Sequence, residues 1–271
     1  KAWSWSLSAA CNVTPLLDGD GNIYLAMGII RKVSADGYHL WEAEFDVGPA
    51  AGTPCLLGTS IYCATLEGYA VRLDLETGRE IWKNKFCSAC SPEPWSSDIT
   101  HDLWVVPGRN KPVQGPDMWS NAIYGLDPVN GTTRWSTSNM MMLLAPAPII
   151  ANEVVLFTSL LGEVYCLNAK DGSEKWKVQE PGSQSTGGVC VDGSEIYVTS
   201  NCRGKRQWNA PNGGKGRVRS FTLADGTKRW DRSLDTEANT LPCLVRLGGK
   251  LMVVVSLGAN VGTLENPFGD Q

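Results

Sequence analysis

The stretch that decides the fold is Asp74–Trp82, which reads DLETGREIW. It places a Gly four residues after an acid and a Trp four residues after that Gly. The same spacing recurs as DPVNGTTRW at Asp127–Trp135, NAKDGSEKW at Asn168–Trp176 and TLADGTKRW at Thr222–Trp230. A fifth copy, VSADGYHLW, ends at Trp41. A spacing that recurs at intervals along the chain predicts a repeat architecture.

Each copy has the composition of two strands joined by a tight turn. The loops SADG, LETG, PVNG, AKDG and LADG end on Gly, which can adopt the positive φ that the last turn position requires. The flanking residues alternate or are β-branched, as in YAVRLDL and REIWKNKF. A second pair of apolar strands precedes each copy, so each repeat holds four strands. Four residues before the Gly stand, in turn, Val33, Asp74, Asp127, Asn168 and Thr222.

The spacing between these Trp residues is 41, 53, 41 and 54 residues. Four strands in a period of about 40 residues are typical of a β-propeller blade. The sequence shows no long amphipathic helical pattern, so a Rossmann or TIM-barrel architecture is not expected. We predict an all-β propeller of four-stranded antiparallel blades, with residues 1–271 forming a single domain.

The repeated Trp residues are predicted to be structural. A large flat ring on the outermost strand can pack against the next blade, and the polar residue eight positions earlier can hydrogen-bond near the turn. Burying each ring contributes about 2–3 kcal/mol. The residues predicted to make these docking contacts are Trp3, Trp41, Asp74, Gly78, Trp82, Asp127, Gly131, Trp135, Asn168, Gly172, Trp176, Gly226 and Trp230.

This pattern resembles the PQQ-like repeat, whose tryptophan-docking motif reads roughly A-x-D-x-x-T-G-x-x-x-W. The best match is LDLETGREIW, through Asp74, Thr77, Gly78 and Trp82. The resemblance covers nearly the whole chain and implies a propeller. The family includes quinoprotein alcohol dehydrogenases and non-enzymatic outer-membrane assembly lipoproteins of the BamB type, so the resemblance implies a fold more specifically than a function.

The repeats indicate six blades. The first runs from about Cys11 to Phe45, the next four end at the later Trp residues, and the tail from Thr240 to Gln271 supplies strands for a sixth. That tail lacks a Trp strand, and WSWSL at Trp3–Leu7 has the matching pattern. We therefore predict that the N-terminal strand completes the last blade, which would remove free strand edges. The alternative is a fragment of a seven- or eight-bladed ring, because members of the family usually have eight blades.

Two repeats carry an extra segment between their second and third strands. The first insert is Pro107–Asn121 and the second is Asn201–Arg217. Equivalent loops of a propeller emerge on one face, and loops on a rigid frame carry binding. We therefore predict a binding face that displays both inserts.

The second insert is basic, although the whole chain has a net charge of -4. It favours contact with an acidic protein surface, a phosphate-rich ligand or an anionic membrane, and its Trp favours a protein. The alternative is a solvated loop, and the net charge argues against nucleic acid. The candidate partner-binding residues of the first insert are Arg109, Lys111 and Trp119. Those of the second insert are Arg203, Lys205, Arg206, Trp208, Lys215 and Arg217, and Arg219 adds a further positive charge just after it.

The sequence offers no recognisable catalytic centre. A quinoprotein dehydrogenase needs a quinone, Ca²⁺ held by oxygen ligands and an Asp base, and no such set can be placed on converging strands. Cys87 and Cys90 form the only close cysteine pair; zinc would need a second pair, so chance proximity or a local disulfide is favoured. His39 and His101 fit no triad. We predict no catalytic residue, no cofactor and no metal.

The nine cysteines bear on the compartment. Several lie in apolar strand-like runs, such as Cys55 and Cys243, and are interpreted as reduced core residues, which weakly favours a reducing compartment. No apolar run approaches the roughly 18 residues of a membrane span. The first residues lack a signal-peptide pattern, so the chain is a mature form, an internal piece or a protein that was never targeted.

Together these features favour a non-catalytic scaffold for protein–protein interaction, an accessory subunit of a larger complex. One alternative is a quinone-dependent dehydrogenase or small-ligand sensor that uses the central channel. Another is a propeller module of a larger multidomain enzyme.

Overall fold

A computed structural model of the chain describes residues 3–4, 13–26, 28–91, 95–110, 120–137, 143, 147–179, 183–184, 187–202 and 215–258. Every regular element in these residues is a β-strand, and the chain divides into two compact units, Lys1–Met140 and Met141–Gln271. The strands are β1 (Leu16–Leu17), β2 (Ile23–Ala26), β3 (Ile30–Val33), β4 (His39–Ala43), β5 (Ala50–Leu57), β6 (Ser60–Thr65), β7 (Tyr69–Asp74), β8 (Glu80–Lys85), β9 (Asp98–Ile99), β10 (Trp104–Gly108), β11 (Ala122–Leu126), β12 (Thr133–Ser136), β13 (Ile149–Ala151), β14 (Val154–Thr158), β15 (Glu163–Asn168), β16 (Glu174–Gln179), β17 (Ser183–Gln184), β18 (Val189–Asp192), β19 (Glu195–Cys202), β20 (Gly216–Thr222), β21 (Lys228–Ser233), β22 (Cys243–Leu247) and β23 (Lys250–Val254).

The first unit contains three four-stranded antiparallel sheets, β1–β4, β5–β8 and β9–β12. In each sheet the strands that follow one another along the chain are hydrogen-bonded neighbours. This up-and-down order is the topology of a propeller blade.

The second unit contains the other three sheets. Strands β13–β16 form a four-stranded sheet in the same order. The next sheet has five strands, because β17 and β18 both pair with β19. The last sheet, in the described residues, is the hairpin of β22 and β23.

The position of a strand in its sheet follows from its side chains. Middle strands such as β6 (SIYCAT), β11 (AIYGL) and β14 (VVLFT) are buried at every residue, because both faces of the sheet are covered. Outer strands such as β16 (EKWKVQ) carry exposed residues with half-buried residues between them, which is typical of a strand that has one face exposed to solvent.

The cores lie between neighbouring sheets. In the first unit the rings of Tyr62 and Trp104, from the second and third sheets, are 5.6 Å apart at an angle of 63°. Tyr24 and Ile61 belong to the cluster between the first and second sheets, and both are fully buried. In the second unit Leu156 and Phe221 belong to one cluster. Apolar packing therefore joins sheet to sheet within each unit.

The prediction of an all-β, six-bladed protein is confirmed by the six sheets of the described residues. The N-terminal strand stays a prediction, because Trp5–Asn12 lie outside the described residues. The organisation of residues 1–271 as one domain also stays a prediction.

Candidate functional site

The indole rings of the repeat lie over the turn of the neighbouring sheet. Trp41, on β4, packs over Gly78 in the turn between β7 and β8, and its Nε1 donates a hydrogen bond to the carbonyl oxygen of Leu75 at 3.3 Å. Trp176, on β16, packs over Gly226, and its Nε1 donates to a carbonyl oxygen of that turn at 2.9 Å. Each ring thus joins two sheets within its unit.

Trp3 makes both of these contacts, and Trp82 makes the ring contact. Trp3 packs over Gly37, and its Nε1 donates to the carbonyl oxygen of Ala35 at 2.9 Å. Trp82 packs over Gly131. The φ angles of the four glycines beneath these rings lie between 71° and 86°, and a Cβ on any of them would meet the ring at under 3.0 Å. Glycine is therefore required both by the backbone conformation and by the ring above it.

Trp135 and Trp230 contact their own sheets. Trp135 is 7% exposed, and its ring covers Gly125 on the adjacent strand. The ring centroid of Trp230 lies 6.0 Å from that of Tyr197. One ring thus covers a glycine and the other packs against an aromatic ring, as expected of structural aromatic residues.

The acid of the repeat holds the turn together. Asp74 Oδ1 accepts hydrogen bonds from the hydroxyl of Thr77 at 2.7 Å and from its N–H at 2.8 Å, and these bonds lower the pKa of Asp74. Asp127 accepts a bond from Arg134 at 2.9 Å, which lowers its pKa in the same way. Asn168 donates from Nδ2 to the hydroxyl of Ser173 at 2.6 Å.

The first hairpin is one residue shorter than the repeat spacing predicts. Val33 aligns with Asp74 in the sequence, but its side chain is apolar and only 1% exposed. Ser34 opens this turn instead: its carbonyl accepts the N–H of Gly37 at 2.9 Å and its hydroxyl oxygen accepts the N–H of Tyr38 at 3.0 Å. The Ser34 hydroxyl lies one residue nearer to the Gly than the acid of the other repeats does, so it can accept the backbone N–H of the shorter loop.

The base of the first insert is a rigid connection between β10 and β11. The N–H of Asn110 donates to Asn121 Oδ1 at 3.1 Å. The backbone of Arg109 pairs with Ala89, donating to its carbonyl oxygen at 3.0 Å. Arg109, a candidate contact residue, is 5% exposed, because this pairing draws it into the sheet. The candidates Lys111 and Trp119 lie outside the described residues.

The base of the second insert, between β19 and β20, is an ion-paired cluster. Asp231 Oδ2 accepts from Arg217 at 2.8 Å and from Arg219 at 3.2 Å. Arg219 is 2% exposed and also donates to the hydroxyl of Ser200 at 2.9 Å. Lys215 is exposed at the edge of the insert. Part of the positive charge counted in the sequence is therefore balanced inside the sheet.

The candidates at the centre of the second insert are not among the described residues. These are Arg203, Lys205, Arg206 and Trp208. Each insert joins the two middle strands of its sheet, which is the position predicted.

A cavity of about 350 Å³ opens beside the base of the first insert. Its lining brings together a cation, two aromatic rings, a thiol, a hydroxyl and an amide: Lys85, Phe86, Tyr124, Cys87, Ser88 and Asn110. The sequence pattern singled out the cysteine spacing but not this cavity, since its walls come from β8, β11 and two loops that only the fold brings together.

The Cys87 thiol of this lining lies beside a second thiol, that of Cys90. Cys87 Sγ lies 3.9 Å from Cys90 Sγ and 3.1 Å from the carbonyl oxygen of Ala89. The hydrogen bond with Cys90 lowers the pKa of Cys87, whereas complete burial raises the pKa of Cys90 well above its usual range. The two neighbours thus differ in how readily they become thiolates.

The other cysteines differ in environment. Cys55, Cys63 and Cys166 are buried, as predicted for core residues. Cys243 is exposed, which corrects its interpretation as a core residue. It lies on β22, and the described residues place only one strand, β23, beside it.

The described residues contain no group of three or more His, Cys, Asp or Glu side chains placed to hold a metal ion. His39 and His101 are exposed, and His39 Nε2 lies 3.5 Å from Glu42.

Comparison with known proteins shows clear relatives. The family model described as outer membrane protein assembly factor BamB matches residues 26–109 and 119–263. The outer membrane protein assembly factor BamB of Bordetella pertussis is 29% identical over 229 residues, covering 80% of this chain and 52% of that protein. The crystal structure of BamB from Moraxella catarrhalis superposes with a TM-score of 0.62 at 17% identity, covering 86% of this chain and 66% of that one.

An enzyme is also among the relatives. The quinohemoprotein alcohol dehydrogenase ADH IIB of Pseudomonas putida is 31% identical over 123 residues, covering 40% of this chain and 17% of that protein. The chain spans about half the length of the Bordetella relative. The resemblance to PQQ-like repeat proteins is thereby confirmed, and so is the repeat's use in both assembly factors and enzymes.

The names of the relatives are relevant to the cellular compartment of the protein. The relatives' names refer to assembly at an outer membrane, so the preference for a reducing compartment is not supported. Among the described residues, no helix has the length and apolar character needed to cross a bilayer.

Proposed function

The chain belongs to the family of the outer membrane protein assembly factor BamB, and from this we propose that it is a non-catalytic propeller scaffold that binds other proteins. It would serve as an accessory subunit of a larger assembly. The observation that carries the proposal is the family match over residues 26–109 and 119–263. Relatives that bear this name are assembly factors, and an assembly factor acts by contact with other proteins.

We place the binding surface on the two inserts, Pro107–Asn121 and Asn201–Arg217. Hydrogen bonds and ion pairs hold the described bases of both inserts, and loops that rise from such a frame commonly carry binding residues. The second insert adds positive charge and a Trp, the residue types that dominate binding energy at interfaces. The partner that fits is a protein with an acidic surface and an apolar pocket for an indole ring.

Arg109 and Arg219 are too deeply buried to belong to the proposed binding surface. Arg109 is 5% exposed and Arg219 is 2% exposed, so both support the insert bases instead of facing a partner. The contact would then depend on Trp119, Arg206 and their neighbours within the inserts. We further propose that the protein acts beside an outer membrane, where the names of its relatives place protein assembly.

A pull-down from native extract tests the proposal. The full chain is immobilised, and captured proteins are identified by mass spectrometry for wild type, Trp119→Ala and Arg206→Glu. The matched control is Lys170→Glu, the same charge reversal at an exposed turn lysine. We expect a partner that wild type and the control retain and both insert variants lose. A partner retained by both insert variants, or no partner enriched at all, would contradict the proposal.

The dehydrogenase relative favours one second candidate, an enzyme that uses pyrroloquinoline quinone and Ca²⁺. Incubation of the purified chain with both would then produce cofactor absorbance and dye-linked alcohol oxidation. The described residues supply no metal-binding cluster. We therefore expect neither signal, and dye-linked turnover would replace the scaffold proposal with the enzyme.

A further inference from the structure

Cys87 and Cys90 are placed as a reactive pair. Their sulfurs are 3.9 Å apart, and a disulfide requires about 2.05 Å. They lie in the loop that follows β8, with two residues between them. The two thiols are neighbours, and a disulfide would form if the sulfurs approached each other by about 1.9 Å.

The loop that carries the pair is anchored on both sides. The N–H of Cys87 donates to the carbonyl oxygen of Gly68 at 3.3 Å, and the N–H of Cys90 donates to that of Leu66 at 2.9 Å. Between them, Ala89 accepts the N–H of Arg109 at 3.0 Å. The thiols are therefore held near each other by the backbone of two adjoining segments and do not meet by the chance motion of a free loop.

Both cysteines are buried, with Cys87 7% exposed, but they differ in their position relative to the cavity. Cys87 lines the cavity of about 350 Å³, together with Lys85, Ser88 and Asn110. Cys90 is 3% exposed and faces inward, with Sγ 4.0 Å from the carbonyl oxygen of Pro107. A molecule that enters the cavity meets the sulfur of Cys87 first.

The electrostatics of the pair match this arrangement. The hydrogen bond from Cys90 and the nearby Lys85 ammonium lower the pKa of Cys87, and burial raises that of Cys90. In thiol–disulfide exchange the attacking sulfur must be a thiolate, and its partner resolves the mixed disulfide afterwards. By contrast, burial raises the pKa of Cys55 to about 12 and that of Cys166 to about 11.

We propose that Cys87 and Cys90 form a reversible dithiol–disulfide pair that exchanges electrons with low-molecular-weight disulfides through the cavity beside the first insert. Cys87 is the attacking thiol and Cys90 the resolving thiol. This proposal does not depend on the scaffold function.

The exchange takes place in two steps. In the first, the Cys87 thiolate attacks one sulfur of a small disulfide, RSSR, forming a mixed disulfide and expelling RS⁻, which takes up a proton. Cys90 then loses its proton, and its thiolate attacks Cys87 Sγ and expels the second RS⁻. Two protein thiols are oxidised by two electrons, and one RSSR is reduced to two RSH. Excess RSH reverses both steps.

The test uses the full chain in buffers of oxidised and reduced glutathione. After acid quenching, alkylation of free thiols and trypsin digestion, Phe86–Arg109 is released as one peptide that contains both cysteines and no others. We expect a disulfide form of this peptide, two hydrogen atoms lighter than the unalkylated dithiol peptide. The fraction of this form should vary with the ratio of oxidised to reduced glutathione as expected for a two-electron couple, and it should fall to zero after treatment with dithiothreitol. A peptide alkylated at both cysteines at every ratio would overturn the proposal.

Single variants assign the roles. In Cys90→Ser, glutathione should accumulate on Cys87, whereas in Cys87→Ser its attachment to Cys90 should be at least about tenfold slower, because that thiol is buried and less readily ionised. Cys243→Ser removes an exposed thiol and should leave the exchange unchanged. Equal rates in the two pair variants would overturn the assignment. The wild-type peptide result stands even if a variant fails to fold.

Discussion

A glycine beneath an indole ring is the residue-scale unit of this fold. Gly78 has a φ of 71°, and the ring of Trp41 from the preceding sheet covers it. Burial of a ring contributes about 2–3 kcal/mol, but only if no Cβ keeps the ring away. The Trp of one repeat therefore depends on the Gly of the next, although 37 positions separate Trp41 from Gly78 (78 − 41).

Replacing Gly78 by Ala tests this dependence. The left-handed backbone costs roughly 1–2 kcal/mol, and the new Cβ would lie 2.6 Å from a ring atom of Trp41, so we expect a total loss of about 2–4 kcal/mol. The measurement is the free energy of unfolding in urea. The control is Gly58→Ala, at a φ of 57° with no heavy atom within 4 Å of the new Cβ, which incurs the backbone cost alone. Equal losses in the two variants would contradict a steric role for the ring.

The turn acids add a dependence on pH. Hydrogen bonds from Thr77 lower the pKa of Asp74 in the folded state, so the folded protein releases this proton more readily than the unfolded chain. The stabilisation is complete above the unfolded pKa of about 3.9 and is lost as pH falls through the lower folded value.

We therefore expect Asp74→Asn to be less stable than wild type at neutral pH, with a gap that shrinks below about pH 3.9. Thermal unfolding across this range measures the gap. Asp20→Asn is the control, at an exposed acid of another turn. A gap that stays constant with pH would show that the charge of Asp74 does not contribute.

At this scale the sequence predicted which residues repeat and missed their surroundings. The spacing of Gly and Trp was enough to place the turns. The ring above each glycine comes from another repeat. Cys243 was interpreted wrongly as a core residue, because a side chain's environment depends on the strand placed beside it.

At the scale of elements, every Trp hairpin has an irregularity at the same place. The register shifts just before the turn in five sheets, for example between Arg72 and Leu73 and between Ser220 and Phe221. A shift of this kind adds one residue to one strand and increases the local twist. The periodicity of the sequence predicts the strands but not the bulge, because register is set by cross-strand pairing.

The ion-paired base of the second insert carries a further prediction. Asp231→Asn would remove the negative charge that accepts a hydrogen bond from Arg219, which is 2% exposed, and we expect a loss of about 1–3 kcal/mol in unfolding free energy. The control is Asp192→Asn, whose partner Arg246 is well exposed, with an expected cost below about 1 kcal/mol. Similar losses in both variants would contradict a buried role for Asp231.

At the scale of the whole molecule, the chain combines repeated sheets with two segments that break the repeat. The six sheets were predictable because each repeats one pattern. The excess length of two repeats was enough to locate the inserts. The environment of their charged residues was not predictable, because Arg109 and Arg219 count as surface charge in the sequence and lie buried in the structure. The cavity beside Cys87 was equally hidden, since separate segments build its walls.

The most direct measurement of the proposed function is hydrogen–deuterium exchange of the chain alone and in complex with the partner that the pull-down identifies. If the inserts bind the partner, peptides from Pro107–Asn121 and Asn201–Arg217 will gain protection in the complex, and the docking turns, such as Asp74–Gly78, will not change. Protection at the turns or on the strands, with both inserts exchanging as in the free chain, would contradict the claim that the inserts form the binding surface.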